Sequence, residues 1–282
     1  MGPVIASAIQ MCSGEDKDAN LATAERLVEQ AAGQGARLVV LPETFNCCGR
    51  SAVMVGQAET IPGPDRSRMP TSRQPTIERL ARRAAAAKVY LVCGSILEKS
   101  PEPGKAYNTS VALGPDGTIL AAYRKMHLFD VDLPGRVTVR ESAWLERGNE
   151  VATFAADFGV VGMGICYDLR FPELYRALAA KGATVMVVPS AFTEATGRHH
   201  WEVLLRARAI ENQCYVIAAN QFGQHASGVR TYGHSLIVDP WGKVLAVCED
   251  GEGVALAAMD LDYLADVRRR LPALMHRRDV NG

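Results

Sequence analysis

Two stretches of this chain repeat the same order of apolar strand, helix, strand and hairpin, at an offset of 125 residues where the match is closest. Tyr215-Val216-Ile217 stands to Tyr90-Leu91-Val92 as Leu236-Ile237-Val238-Asp239-Pro240-Trp241-Gly242 stands to Val111-Ala112-Leu113-Gly114-Pro115-Asp116-Gly117. Upstream, Leu38 to Pro42 parallels Thr184 to Pro189, and a helical stretch over 74–88 parallels one from His200 to Gln213. In each unit the strands are almost continuously apolar and alternate with helices, the pattern of a mixed sheet covered on one face by helices. Two such sheets, each with a bare face, bury those faces against each other. The predicted fold is α/β, a four-layer α-β-β-α sandwich with an internal pseudo-twofold repeat.

The remaining elements fit that frame. Leu21, Ala24, Leu27, Val28 and Ala31 have the spacing of a helix facing a core, stopped by Gly33 and Gly35. Residues 49–75 hold Pro62, Gly63, Pro64 and Pro70 and no sustained period, so a surface loop is expected there. No Gly/Ser linker separates the halves, and the chain is read as one domain over 1–282, with a C-terminal extension from about residue 261 that starts as a helix.

Charge and cysteine content exclude several classes. With 31 basic and 31 acidic side chains the net charge is zero, which argues against a nucleic-acid partner, since phosphate binding needs an excess of Lys and Arg. No apolar run approaches the roughly 20 residues that span a bilayer, and Val4 to Ile9 reads as a buried first strand rather than a signal peptide. Seven cysteines without Cys-x-x-Cys pairs suit free thiols in a cytoplasmic protein.

One of those cysteines stands apart. Val160 to Gly164 is an apolar, glycine-punctuated strand that runs into Cys166, turns, and enters a helix with Pro172 near its first turn. A thiol at a strand end beside a helix N-terminus is placed for stabilisation as a thiolate, with the Tyr167 N–H as an oxyanion donor. A nucleophile needs a base, and the residues alone leave two sources open. One is any of His127, His199, His200, His225, His234 and His276; the other is a carboxylate at another strand end, which Leu38 to Glu43 offers. Lys125, leaving a third strand end, supplies a positive charge. Each of Glu43, Lys125 and Cys166 alone also fits an ordinary structural role; the three at three core-strand ends do not. Adjacent His199 and His200 do not face each other on a helix, so no metal is expected, and no cofactor motif is present. Arg206, Arg208 and Glu211 read as surface or interface ion pairs.

Leu41-Pro42-Glu43, Tyr123-Arg124-Lys125 and Gly164-Ile165-Cys166-Tyr167-Asp168, spaced by 82 and 41 residues between the functional positions, resemble the Glu–Lys–Cys triad motifs of the nitrilase superfamily, the carbon–nitrogen hydrolases. The resemblance covers essentially the whole chain and implies the same sandwich. His127 to Val131, Arg170 to Leu174, Pro189 to Thr193 and His200 to Gln213 are similar to its amidase branch. It implies a cysteine-dependent amidase with catalytic Glu43, Lys125 and Cys166, joined by Glu141, and with Tyr167 as backbone oxyanion donor. Arg170, Phe192 and Thr196 are the implied substrate-binding residues; Arg170 also fits an ion pair with Glu173 or Asp168. The implied substrate is a small carboxylate-bearing amide of the deaminated-glutathione kind, hydrolysed through a thioester to acid and ammonia. The alternatives are 2-oxoglutaramate or 2-oxosuccinamate, an N-carbamoyl amino acid, and a silent binding scaffold, which the intact triad disfavours. A homodimer or larger homo-oligomer is implied. At Gly197-Arg198-His199-His200 the sequence departs from the family pattern, close to the expected pocket rim.

Overall fold

The computed structural model of the protein describes residues 2–61, 75–135 and 137–278. In chain order, the first half contains β1 (Val4–Gln10), α1 (Lys17–Gly33), β2 (Leu38–Val40), α2 (Ser51–Gly56), α3 (Pro75–Ala87), β3 (Tyr90–Val92), β4 (Ile96–Lys99), β5 (Ala106–Leu113), β6 (Ile119–Arg124), β7 (Asp130–Leu133), β8 (Val137–Arg140) and β9 (Leu145–Glu146). The second half contains β10 (Thr153–Ala156), β11 (Gly159–Met163), α4 (Pro172–Ala180), β12 (Ala183–Val187), α5 (Glu194–Asn212), β13 (Tyr215–Ala218), β14 (Phe222–Gln224), β15 (Arg230–Tyr232), β16 (Leu236–Val238), β17 (Val244–Val247), β18 (Gly253–Met259) and α6 (Leu261–Arg270).

The repeat is visible in the strand order. Among the described residues one sheet runs β18-β1-β2-β3-β5-β4, with β6 and β9 also on β5, and the other runs β10-β11-β12-β13-β16-β17. In both, three parallel strands joined by helices (β1-β2-β3 and β11-β12-β13) are followed by an antiparallel hairpin (β5-β6 and β16-β17).

Alternation along the strands divides the layers. Val39 and Leu41 join Ile9 and Leu91 against α1 and α3, where Leu21, Leu27, Val28, Ile77 and Leu80 are buried. Leu38 and Val40 point the other way, with Ala6, Ala8 and Ala112, into a core shared with Met163, Val185, Val187 and Ile217 of the second sheet. Alanines on one inner face let larger side chains of the other approach; each fully buried Leu or Val contributes about 1.5–3 kcal/mol. α4 and α5 cover the far face of the second sheet through Leu174, Leu178, Trp201 and Leu205. The result is the expected helix–sheet–sheet–helix sandwich.

Three features differ from the sequence reading. α5 begins at Glu194, six residues before His200, because Gly197 does not break it: a Cβ there would lie 2.5 Å from Tyr232, so the glycine lets the β15 strand pack flat on the helix. Within the expected loop over 49–75, Ser51–Gly56 is helical, and 62–74 lies outside the described residues. β18 returns from the second half to pair antiparallel with β1, from Val4↔Met259 to Gln10↔Gly253. Among the described residues no helix is long and apolar enough to cross a membrane.

Candidate active site

Strand direction explains why three distant residues meet. β2 is parallel to β3, β5 is antiparallel to β3, and β6 is antiparallel to β5, so β2 and β6 end on the same side of the sheet. Glu43 follows β2 and Lys125 follows β6 immediately. Cys166 follows β11, the counterpart of β1 in the facing sheet, at the start of a 3-10 turn, Cys166–Arg170. Crevices beyond the carboxyl ends of parallel strands are where α/β folds place their ligands.

The polar centre is almost dry. Glu43 and Lys125 are 3% and 1% exposed. Glu43 Oε1 accepts hydrogen bonds from Lys125 Nζ at 2.9 Å and Asn108 Nδ2 at 2.8 Å, and its Oε2 accepts from Ala191 N at 2.8 Å. Lys125 Nζ also donates to both oxygens of Glu141, at 3.0 and 2.9 Å, and Glu141 Oε2 accepts from Phe129 N at 2.7 Å. Burial opposes the charge of Lys125, but Glu141 and Glu43 outweigh it and hold the ammonium well above the usual lysine range. Burial raises the Glu141 carboxyl, against the pull of Lys125.

Burial, and then the Glu43 charge, push the Cys166 thiol well above its usual range, while Lys125 pulls the other way. This corrects the expectation of a helix-stabilised thiolate. The backbone N–H of Cys166 is spent on Pro189 O at 2.8 Å, and the desolvated sulfur next to a carboxylate stays protonated. The Tyr167 N–H has no backbone acceptor among the described residues, and Tyr167 lines the catalytic cleft.

That cleft is about 430 Å³ and is lined by Glu43, Glu141, Cys166 and Tyr167 together with Arg170, Phe192 and Thr196. Arg170 lies over the Phe192 ring at 5.0 Å, and its Nη1 is 3.2 Å from His200 Nδ1. It forms no ion pair with Glu173 or Asp168; Asp168 is engaged elsewhere.

The sequence profile described as Carbon-nitrogen hydrolase matches residues 5–269. The chain belongs to the carbon–nitrogen hydrolase family. This hydrolase is 43% identical over 279 residues to a deaminated glutathione amidase of Synechocystis sp., covering 98% of this chain and 99% of that one. It is 41% identical over 271 residues to omega-amidase NIT2 of Danio rerio, covering 96% and 93%. Among solved structures, Saccharomyces cerevisiae Nit3, described as a member of branch 10 of the nitrilase superfamily, matches with a TM-score of 0.87 at 35% identity, over 99% of this chain and 97% of that one.

Several groups that build the hydrolase's site carried no assignment in the sequence reading. Asn108 supports Glu43 through its side chain and Lys125 through its carbonyl, which accepts from Lys125 N at 2.8 Å. In the sequence it is the first of three consecutive polar residues, Asn108-Thr109-Ser110, and nothing local sets it apart. Asp168, fully buried, accepts from Tyr123 Oη at 2.7 Å, His127 N at 3.1 Å, His127 Nδ1 at 2.7 Å and Ile165 N at 2.9 Å. It therefore ties the chain on either side of Lys125 to the turn that carries Cys166. Two candidate bases are committed elsewhere: His127 to Asp168, and His225 to Ser13 O and Thr231 Oγ1 at 3.0 and 2.8 Å. Arg208 does pair with Glu211, at 2.8 Å, but it is not a surface residue: it is 5% exposed, and its Nε donates to Leu169 O at 3.0 Å, bracing the same turn from α5.

Proposed function

We propose that this hydrolase cleaves a small carboxylate-bearing amide of the deaminated-glutathione type, with Cys166 as nucleophile, Glu43 as general base and acid, Lys125 as the positive charge of the site and Glu141 as its anchor. The observation that carries the reading is that Cys166, Glu43, Glu141 and Tyr167 line one cleft, with Lys125 buried and bonded to both carboxylates. The names of the two relatives, deaminated glutathione amidase and omega-amidase, support an amide as substrate.

Glu43 takes the thiol proton as Sγ attacks the carbonyl carbon, and the carbonyl oxygen becomes an oxyanion that accepts from Tyr167 N–H. One such donor contributes about 3–4 kcal/mol in the transition state. The three bonds of Lys125 Nζ are already directed at Glu43 and Glu141, so it serves the oxyanion through its charge, or directly when one leg of the Glu141 pair opens. Glu43 passes its proton to the nitrogen, the C–N bond breaks, and the acyl group remains on Sγ as a thioester. A primary amide releases ammonia, the product expected above; an amide whose nitrogen bears a peptide, deaminated glutathione included, releases that amine instead, which corrects the expectation for it. Glu43 then takes a proton from water, the hydroxide adds to the thioester, the C–S bond breaks, and Sγ recovers the proton. Arg170 holds the substrate carboxylate by a forked pair of hydrogen bonds, over Phe192 and beside Thr196.

The test is product release by the wild type and Cys166→Ala, read as ammonia from 2-oxoglutaramate and as free amine from deaminated glutathione. Turnover of either that disappears in the variant is expected. A variant as active as wild type overturns the thioester route; a wild type inactive on both overturns the substrate class and makes N-carbamoyl amino acids the next trial.

The same reading takes the chain as one catalytic domain working in the cytoplasm as a homodimer or larger. The free state of all seven cysteines supports the reducing compartment. The outer face of α5 supports self-association: Val203 and Ile210 are exposed there, and the turn carrying exposed Trp241 sits against it, with Arg206 Nε donating to Gly242 O at 2.7 Å.

A further inference from the structure

A second cleft, of about 600 Å³, adjoins the catalytic one, and Thr138, Thr193, Ser227 and Val229 line both. Arg198, Arg230 and Glu194 are its charged lining residues, and His199 lines it beside them. Glu194 is ion-paired to both arginines, to Arg230 Nε at 2.8 Å through Oε2 and to Arg198 through Oε1. A guanidinium offers five N–H donors and a carboxylate about four acceptor sites, so two guanidinia around one carboxylate leave donors in surplus. Thr138 on the shared wall donates its hydroxyl to Asp132 Oδ1 at 2.7 Å, and Asp132 itself lines neither cleft. The first turn of α5 also borders this cleft through Glu194 and Ala195, and the side chain of its N-cap, Thr193, makes no capping bond, so the helix dipole adds to the positive potential. The chain as a whole has no net charge, and this excess is therefore local.

We infer that this outer cleft is an anion subsite, in which Arg198 and Arg230, aided by His199, bind a carboxylate that the substrate carries away from its scissile amide. The inference rests on the amide reading above and narrows it to amides with a second, remote carboxylate, such as one whose nitrogen bears a short peptide. A short monoamide such as 2-oxoglutaramate spends its only carboxylate at Arg170 and does not engage the outer cleft. Glu194 competes with the incoming anion for both guanidinia. Its removal therefore strengthens binding, whereas removal of the arginines weakens it. Arg198 and His199 fall where the sequence departs from the family pattern, which places the departure at a site that discriminates substrates rather than at the chemistry.

The experiment is steady-state kinetics of the full chain on three amides: deaminated glutathione, its C-terminal carboxamide, in which the remote carboxylate is neutral, and 2-oxoglutaramate. The expected result for Arg198→Gln/Arg230→Gln is a KM for deaminated glutathione raised about tenfold, one forked charged contact's worth, with kcat within about twofold. The carboxamide and 2-oxoglutaramate should be unaffected. Glu194→Gln should lower KM for deaminated glutathione alone, an outcome that a structural role for the ion pairs does not produce. Equal changes on all three amides, no change on any, or a wild type that turns over 2-oxoglutaramate but not deaminated glutathione overturns the outer subsite while leaving the amidase reading standing. A wild type inactive on all three removes the amidase reading itself, and the subsite with it.

Discussion

Cys166 sits at φ +43°, a left-handed conformation that costs a non-glycine residue roughly 1–2 kcal/mol. The sharp turn lifts its thiol out of the strand toward Glu43, and the surroundings keep the proton on sulfur. Alkylation by iodoacetamide should therefore accelerate about tenfold per pH unit from pH 6 to 9, following the thiolate fraction, with no plateau; a plateau near neutrality would show a thiolate at rest. Glu141 acts on Lys125 rather than on the thiol. Glu141→Gln should lower kcat/KM by about 10²–10³-fold, as removal of a comparable electrostatic contribution does. Because the folded-state pKa of Lys125 is raised, its stabilising contribution is complete below the unfolded value of about 10.4 and is lost as pH rises through the higher folded value. In Glu141→Gln that alkaline loss should begin at lower pH than in wild type, which pH-dependent thermal melts measure.

At the scale of elements, the site depends on how closely loops pass one another. Gly94, at φ +46°, crosses behind Pro42, and a Cβ there would lie 1.9 Å from the Pro42 carbonyl oxygen. Gly94→Ala should destabilise by about 3 kcal/mol or more, combining backbone strain with a clash that only movement of the Glu43 loop relieves; urea unfolding reads the loss. Asp168→Asn places an amide donor among four donors, and should cost about 3–5 kcal/mol with a fall in kcat even under native conditions. Such groups mark the limit of reading the chain by itself. β2 and β3 were legible because an apolar run between turn residues is a local signal, and Glu43, Lys125 and Cys166 stood out because each ends such a run. Asn108, Asp168 and Arg208 act on partners 65, 45 and 39 positions away, a pairing that no local pattern encodes. The same holds for β18, whose partner lies at the other end of the chain, and for the first turn of α5, where Gly197 is explained only by Tyr232 packed against it.

For the whole molecule, the exposed Val203, Ile210 and Trp241 form one outer surface. If copies associate there, Val203→Asp/Trp241→Glu should shift the mass in multi-angle light scattering from a multimer to the 30.4 kDa protomer; an unchanged mass would place the interface elsewhere or remove it. The sandwich has a further consequence. Glu43 and Lys125 come from the first sheet and Cys166 from the second, and the segment from residue 147 to 152 that joins the halves contains no helix or strand. A chain severed there would yield two pieces, one holding Glu43 and Lys125, the other Cys166 and the closing strand β18. On the mechanism proposed above, neither piece alone has a reacting centre. Hydrolysis on mixing them would thus be a direct clock for the docking of the two sheets, making this enzyme a reporter of its own assembly.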